Sequence, residues 1–447
     1  MPPTRNVRSF PSSRFAPESA RRCPGRGRRR EEKMTERDAF GRHPEWVACV
    51  NALGDNLGDA GRSMVSLDEG ELLTAAAENT GLDDYGDSWF REPLSLLIGA
   101  LESEADLTLL GRILCRSELQ RFLQNRLQIE DYWKRHPELA DQKVEAPVFV
   151  CGLARTGTTL LHELLAQDPR NRVPMLWEMM FSVPPPEPAT FATDPRIVRA
   201  HRDIAMLDLI DPAFPSMHEN AGDRPNECIF IFALQFLADY FVGQYNIPSY
   251  SMGMAGRDLD PVYAYHKRVL QLLQSRHSGD RWVLKSPAHI ARLDHLFSVY
   301  PDARVVVTHR DPLRVISSIS SLFTSLRSMR SNAVRDDVGG SVFVQQMMLE
   351  IYLQLREQLA GHSEQFVDVV YRDLVSDPLG TVAGIYESWG ISFSDEAEER
   401  MRAYLEANLQ GKRGVHEYSF EQTGLDLSAE RAKFEVYQAA FDVPSEV

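Results

Sequence analysis

The feature that most constrains the fold is an apolar run that ends in glycine and leads into a glycine-containing loop and an apolar helix pattern. The run is APVFVCG (146–152), and the loop and helix follow as LARTGTTLLHELL (153–165). A short continuous apolar run is typical of a strand buried in a parallel sheet. Backbone N–H groups at the start of the following helix can bind an anion. The sequence therefore predicts an α/β fold with an anion site at this loop.

Three later segments have the same strand character and are separated by helical patterns: RWVLK (281–285), ARVVVTHR (303–310) and QFVDVVY (365–371). Strands that alternate with helices predict a P-loop-type parallel sheet flanked by helices. We expect a helical N-terminal region at 34–145 and a core domain at 146–447. Within the core, a helical insert at about 174–280 follows the first strand. The clearest helical patterns cover 107–133, 196–209, 226–245 and 261–275.

Charge is distributed unevenly along the chain. The 447 residues carry a net charge of −15, whereas residues 1–33 carry ten Lys/Arg against three Glu, a local +7 that leaves −15 − 7 = −22 for the rest. A body this acidic is a poor nucleic-acid binder, since phosphate contacts dominate that affinity. We expect residues 1–33 to be a disordered extension or the product of a start assigned before Met34, and a transit peptide stays open.

The cysteines and the hydropathy pattern bear on the compartment. The five cysteines are odd in number and share no short spacing, which disfavours a zinc site and a disulfide framework. No segment approaches 18 apolar residues without a charge, so no transmembrane span is expected. We therefore expect a soluble cytoplasmic protein.

The glycine loop departs from the Walker A pattern at one position. Gly152, Gly157 and Thr159 fit the pattern, but Thr158 stands where the phosphate-binding lysine would be, and Arg155 is the only cation in the loop. Nucleoside-triphosphate enzymes need that lysine and a bound Mg²⁺. The loop thus favours another anion, while a purely structural turn and a degenerate kinase or hydrolase stay open.

A second basic position follows the strand at 303–310. Asp311 is a suitable N-cap and Pro312 a suitable first helical residue, which places Arg310 at the carboxyl end of a strand, where open α/β sheets bind ligands. Ser318 lies two turns along the helix, from where its hydroxyl could reach the same anion as Arg310.

Together these segments resemble the sulfotransferases that use 3′-phosphoadenosine 5′-phosphosulfate (PAPS), and the bacterial branch of that family in particular. ARTGTTLL (154–161) is similar to the family's 5′-phosphosulfate loop, and Arg310 with Ser318 match its 3′-phosphate pair. GKRGVHEYSFEQTGLD (411–426) resembles its 3′-phosphate loop, and VVYRDLVSDP (369–378) contains a tyrosine that matches one near the adenine. The cofactor-binding residues that the resemblance implies are Arg155, Thr156, Gly157, Thr158, Thr159, Arg310, Ser318, Tyr371, Lys412, Arg413 and Gly414.

Sulfuryl transfer needs cations around the transferred group and a base near the acceptor. Lys285 ends a strand 25 residues before Arg310, a spacing close to that of the family's transition-state lysine, and Arg155 is the second catalytic cation. The histidine that cytosolic members use as a base is replaced by Pro287. The resemblance to other branches implies Glu178, which stands among apolar residues that would raise its pKa, with His289 as the alternative.

The expected reaction is sulfuryl transfer from PAPS, without a metal ion, to a hydroxyl or amine of a small-molecule, lipid or glycan acceptor. An aromatic stripe in the insert could line an apolar pocket or simply form core. His218 and Glu219 could touch the acceptor. The competing hypotheses are a P-loop kinase or hydrolase and a binding module without catalysis. Lys285 and Glu178 favour an enzyme over a binding module, because binding alone needs no general base.

Overall fold

A five-stranded sheet forms the centre of the molecule. The computed structural model describes residues 43–217, 221–332, 334, 338–408 and 420–447, which belong to one compact unit. The sheet order is β2-β3-β1-β4-β5, and every pairing is parallel. The strands are Val148–Gly152 (β1), Asn171–Arg172 (β2), Arg281–Lys285 (β3), Arg304–His309 (β4) and Phe366–Val370 (β5). This confirms the expected parallel α/β sheet and adds β2, which the sequence analysis missed.

The region before β1 is helical, as predicted. Its helices are Glu45–Leu57 (α1), Asp59–Met64 (α2), Glu69–Thr80 (α3), Arg91–Ser103 (α4) and Leu109–Arg135 (α5), with 3₁₀ turns at Ser88–Phe90 and Pro137–Asp141. The pattern over 107–133 forms one unbroken helix, α5, which begins where the Thr108 side chain accepts a hydrogen bond from the amide of Gly111 at 2.9 Å. Asn125 in the middle of α5 donates to the carbonyl of Met179 at 3.0 Å, so this helix packs directly on the core domain.

Helices between β1 and β3 form the phosphate-loop helix and the insert. They are Thr158–Leu165 (α6), Leu176–Met180 (α7), Pro195–Ile210 (α8), Phe214–Met217 (α9), Ile229–Phe232 (α10), Asp239–Gln244 (α11), Pro248–Met254 (α12) and Asp260–Gln274 (α13), with 3₁₀ turns at Pro188–Thr193 and Ala233–Gln235. The helix expected over 226–245 is wrong as a single element. It breaks at Phe236, which has a left-handed backbone (φ 55°) and a fully buried ring.

Helices after β3 cover the sheet and carry the chain to its last residues. They are Leu293–Val299 (α14), Pro312–Ser328 (α15), Val338–Gln358 (α16), Tyr371–Ser376 (α17), Pro378–Ser388 (α18), Asp395–Ala407 (α19), Leu427–Ala432 (α20) and Glu435–Ala440 (α21), with 3₁₀ turns at Pro287–Ala291, Ala360–Gln365 and Phe420–Thr423. Within the described ranges, no helix has the length and apolar character needed to cross a membrane.

The carboxyl ends of the central strands meet at one edge of the sheet. Gly152 is in register with Thr308, and Val150 with Lys285, so the phosphate loop, the end of β3 and the end of β4 are neighbours. The three strands are almost wholly buried, as a sheet covered by helices on both faces requires. Ligands of open α/β sheets bind at this edge, and Arg155, Lys285 and Arg310 lie along it.

Candidate active site

Backbone geometry shapes the loop between β1 and α6. Gly152 (φ 144°) and Gly157 (φ 95°) have conformations that a side chain would strain, and a Cβ on Gly152 would lie 2.4 Å from the carbonyl oxygen of Thr308. Arg155 is also left-handed, with φ 67°. These turns bring the chain around to the start of α6, where the exposed Thr159 and the backbone amides of the first turn face the edge of the sheet.

Hydrogen bonds from beneath fix the loop to the sheet. The Thr156 hydroxyl donates to the carbonyl of Leu153 at 2.7 Å and lies 2.6 Å from the hydroxyl of Thr308 on β4. His162 in α6 is 1% exposed, and its Nε2 lies 3.1 Å from the carbonyl oxygen of Val283 on β3. Thr156 and His162 are therefore buried supports of the loop, whereas Thr159 is open to a ligand.

Arg155 connects the two predicted anion positions. Its Nε donates to the Ser318 hydroxyl at 3.1 Å, and its Nη1 donates to the carbonyl of Met217 at 3.3 Å. Its own carbonyl accepts a hydrogen bond from Nη1 of Arg310 at 3.2 Å. Arg155, Arg310 and Ser318 thus form one contiguous cluster, which brings together residues that the sequence places about 160 positions apart.

The predicted N-cap at Asp311 is confirmed, and it places Arg310 directly before the first turn of α15. The Asp311 carboxylate accepts from the amide of Leu313 at 3.0 Å, so α15 begins directly after Arg310. The Arg310 guanidinium lies over the Tyr371 ring, 3.9 Å from its centroid, and pairs with Glu446 at 2.8 Å. Tyr371 also stands next to the loop, because a Cβ on Gly157 would lie 3.0 Å from its ring.

Lys285 projects from the end of β3 toward the loop. Its Nζ lies 2.6 Å from Oε1 of Glu227 and 3.5 Å from the Thr159 hydroxyl. The lysine side chain is 4% exposed and the Glu227 side chain 16% exposed. Glu227 is fixed next to β3 because the following amide, that of Cys228, donates to the Lys285 carbonyl at 2.9 Å. The sequence analysis missed Glu227, although it named His218 and Glu219, eight or nine residues earlier, as candidates to touch the acceptor.

Glu178 is not isolated among apolar residues, so that expectation was wrong. Both of its carboxylate oxygens accept hydrogen bonds from Arg172, one of them at 3.0 Å, and one also accepts from the amide of Met175 at 3.0 Å. The side chains of Glu178 and Arg172 are 0% and 5% exposed. This geometry caps α7 and joins it to β2, which favours a structural role.

His289 is enclosed in the core and is not open to the cleft. It lies in the 3₁₀ turn at Pro287–Ala291, its Nδ1 is 2.8 Å from the Tyr263 hydroxyl, and its ring contacts Phe149 and Phe232. Burial, with smaller contributions from His266 and Arg292, holds its pKa well below the ordinary value. A neutral ring of 0% exposure has no path to an acceptor hydroxyl.

Some predicted residues lie outside the described part of the chain: Lys412, Arg413, Gly414, His218, Glu219 and the whole of 1–33. The aromatic stripe of the insert, which runs from Phe230 to Phe241, lies within the described part of the chain. Phe232, Phe236, Tyr240 and Phe241 are buried core, as one of the two interpretations expected, and Phe230 is partly exposed.

The chain is similar to known proteins in both sequence and fold. The profile of the sulfotransferase family matches residues 147–395. The fold is similar to the crystal structure of sulfotransferase STF9 from Mycobacterium avium, with TM-score 0.78 and 30% identity over 85% of this chain and 98% of that one. STF1 from Mycobacterium tuberculosis H37Rv gives TM-score 0.72 and 32% identity over 84% and 100%. Omega-hydroxy-beta-dihydromenaquinone-9 sulfotransferase Stf3 of Mycobacterium bovis is 26% identical over 296 residues, covering 63% of this chain and 72% of the relative.

Proposed function

This chain belongs to the sulfotransferase family and transfers sulfuryl groups, and on that premise we propose that its donor is PAPS and that Glu227 is its general base. The observation that carries the proposal is the contact of Lys285 with Glu227 at 2.6 Å, beside Thr159 of the loop. A carboxylate that can accept a proton and a cation that reaches the anion site stand side by side. Transfer to a hydroxyl requires that pair of groups.

The residues present fit a donor with phosphate groups at both the 5′ and the 3′ position. The first turn of α6 offers backbone amides and the Thr159 hydroxyl to the 5′-phosphosulfate. Arg310, whose guanidinium lies over the Tyr371 ring, and Ser318 are suited to a 3′-phosphate, and Arg155 contacts both of these residues. Cation–π stacking fixes the plane of the Arg310 guanidinium. Bound there, PAPS would supply an activated sulfuryl group that leaves a phosphate oxygen.

Each catalytic residue has one task in this mechanism. Glu227 takes the proton of the acceptor hydroxyl as the bond between that oxygen and sulfur forms. Lys285 donates a hydrogen bond to the phosphate oxygen that receives the electron pair of the breaking bond. Arg155, the cation of the phosphate loop, would add positive charge beside the donor. Since Lys285 is almost wholly buried, its charge is screened little by water and acts strongly on that oxygen.

We propose a lipid-like or small-molecule acceptor with a free hydroxyl, taken up in the cytoplasm. Phe230, three residues after Glu227, is partly exposed and contacts Tyr240 at 5.2 Å between ring centroids, which offers an apolar wall next to the base. The Stf3 relative is named for omega-hydroxy-beta-dihydromenaquinone-9, a menaquinone derivative that carries a hydroxyl group. The four described cysteines are free thiols, consistent with a reducing compartment. The mechanism assigns no step to a metal ion.

The test separates chemistry from binding. Turnover is followed with sulfur-labelled PAPS and a panel of a prenyl alcohol, a sterol and a phenol, and binding of the desulfated product, 3′-phosphoadenosine 5′-phosphate (PAP), is followed by calorimetry. Glu227→Gln should lower kcat by roughly 10²–10⁴, the usual contribution of a general base, with the Kd for PAP unchanged within about twofold. Glu187→Gln, an exposed glutamate of the insert that pairs with Arg276, is the matched control and should keep wild-type turnover.

Two results would contradict the proposal. If wild-type protein binds PAP no more tightly than adenosine 5′-phosphate (AMP), the donor assignment fails. If Glu227→Gln weakens PAP binding as much as it lowers turnover, Glu227 is part of the donor site and is not the base.

A further inference from the structure

Arg310 is held by a carboxylate from the last residues of the described chain. Its Nε lies 2.9 Å and 3.1 Å from the two carboxylate oxygens of Glu446, and its Nη2 lies 2.8 Å from Oε2. The two side chains are 17% and 29% exposed. This is a two-pronged pairing along one edge of the guanidinium, the arrangement that fixes an arginine most strictly.

The pairing leaves the outer edge of Arg310 available. A guanidinium has five N–H donors in a rigid fork. Glu446 takes the donor on Nε and one on Nη2, and the Arg155 carbonyl takes one on Nη1. One N–H on each terminal nitrogen then has no partner among the described residues. Each of these two N–H groups can donate to a phosphate oxygen.

Glu446 is itself fixed and is not a loose occupant of the anion site. Its backbone amide donates to the Asp311 carboxylate at 2.6 Å, and that carboxylate is paired with Arg431, whose Nη2 also donates to the carbonyl of Val447 at 3.0 Å. Val443, just before, is 5% exposed. Asp311 therefore caps α15 and anchors the segment that carries Glu446, which ties Arg310, the helix start and this segment into one unit.

We propose that Glu446 is a positioning residue for the donor: it orients Arg310 so that the free edge of the guanidinium faces the 3′-phosphate. The inference rests on the proposed use of PAPS. Glu446 contacts neither the phosphate nor the transferred group and acts through Arg310 alone. Because a nearby carboxylate by itself repels a phosphate, orientation and repulsion predict opposite effects of removing its charge.

The experiment compares the affinities of PAP and AMP, which differ by the 3′-phosphate, in calorimetry on the whole protein. Glu446→Gln should weaken PAP binding about tenfold, equivalent to about 1.4 kcal/mol, with AMP binding unchanged within about twofold. Glu446→Asp keeps the charge but shortens the side chain by one methylene. Its PAP affinity should fall between those of wild type and Glu446→Gln. Glu435→Gln removes the same charge from an exposed position in α21 and should leave both affinities at wild-type values.

The outcomes separate this inference from the proposed donor. Tighter PAP binding by Glu446→Gln, or an unchanged ratio of PAP to AMP affinity, overturns the positioning role. An equal loss for PAP and AMP means a general structural role and overturns it as well. If the wild type shows no preference for PAP over AMP, the donor assignment fails first. If wild type prefers PAP and Arg310→Ala abolishes the preference while Glu446→Gln keeps it, only the positioning role fails.

Discussion

Three fully buried histidines should make the protein sensitive to mild acid. Burial lowers the pKa of His162 to about 3, helped by the Lys285 charge, and burial lowers the pKa of His266 to about 3. Burial also holds the pKa of His289 well below its ordinary value. In the unfolded chain a histidine titrates near 6.5. Between these values the unfolded state binds more protons, so stability is present above about pH 6.5 and is lost as the pH falls toward 3.

The size of the effect follows from the pKa values. At pH 5, protonation of the unfolded chain favours unfolding by about 2 kcal/mol for each of His162 and His266, or about 4 kcal/mol together. His289 acts in the same direction. This is a large part of the roughly 5–15 kcal/mol by which folded proteins are stable. His162 supports the phosphate loop, so the unfolding that allows this histidine to take up a proton also removes the loop.

Urea unfolding at pH 7.5, 6 and 5 measures this dependence. His266→Asn removes one titrating group while keeping a polar partner for the Tyr300 hydroxyl, which His266 Nδ1 meets at 2.8 Å. The variant should lose about 2 kcal/mol less than wild type between pH 7.5 and 5, whatever its absolute stability. Asn56→Ala, which changes an exposed polar residue that does not titrate, should keep the wild-type slope. If His266→Asn keeps the wild-type slope too, His266 is not held neutral by the fold and the reasoning is refuted.

Three substitutions test the framework around the site. Gly152→Ala should lower the free energy of unfolding in urea by about 2 kcal/mol or more and abolish PAP binding, because the new Cβ would lie 2.4 Å from a backbone carbonyl oxygen. The control Gly99→Ala, at a helical position with open space around it, should be neutral or stabilising. Glu178→Gln should lower the free energy of unfolding by about 3–5 kcal/mol, because it leaves Arg172 buried without its carboxylate partner. The kcat of the folded protein should not change. A specific loss of kcat would mean that Glu178 is the base after all. Arg126→Met should lower the free energy of unfolding by about 3 kcal/mol or more, because three buried backbone carbonyls lose their hydrogen-bond donor. A smaller loss would mean that water donates to these carbonyls in place of the arginine.

Local patterns predicted most of the fold. Four of the five strands, the helical pattern over 107–133 and the Asp311 cap follow from consecutive residues, and the structure confirms them. The elements that were missed depend on distant partners. β2 consists of Asn171–Arg172 and exists because β3 lies beside it. The pattern over 226–245 has helical spacing, but packing of the Phe236 ring into the core breaks the helix there. Tertiary packing overrides periodicity in such cases.

Within the site too, local motifs predict some residues, whereas others depend on contacts with distant parts of the chain. The loop residues and Arg310 follow strands directly, so motif and sheet topology together predict that they meet. The pairing of Lys285 with Glu227 spans 58 positions and depends on how the insert returns to the end of β3. Nothing local marks Glu227 as the partner, because Asn226 and the preceding proline also suit an ordinary turn.

The choice between Glu178 and Glu227 shows what decides a catalytic carboxylate. Both are glutamates of the insert, and in the structure both are paired with a cation. Arg172 takes both oxygens of Glu178, and no part of that side chain is exposed, so a substrate proton has no access to it. Lys285 binds one oxygen of Glu227, whose side chain keeps 16% exposure beside the loop. A general base needs a free lone pair that an acceptor can approach, and the partly exposed Glu227, bound on one oxygen, is better suited to that than the enclosed Glu178.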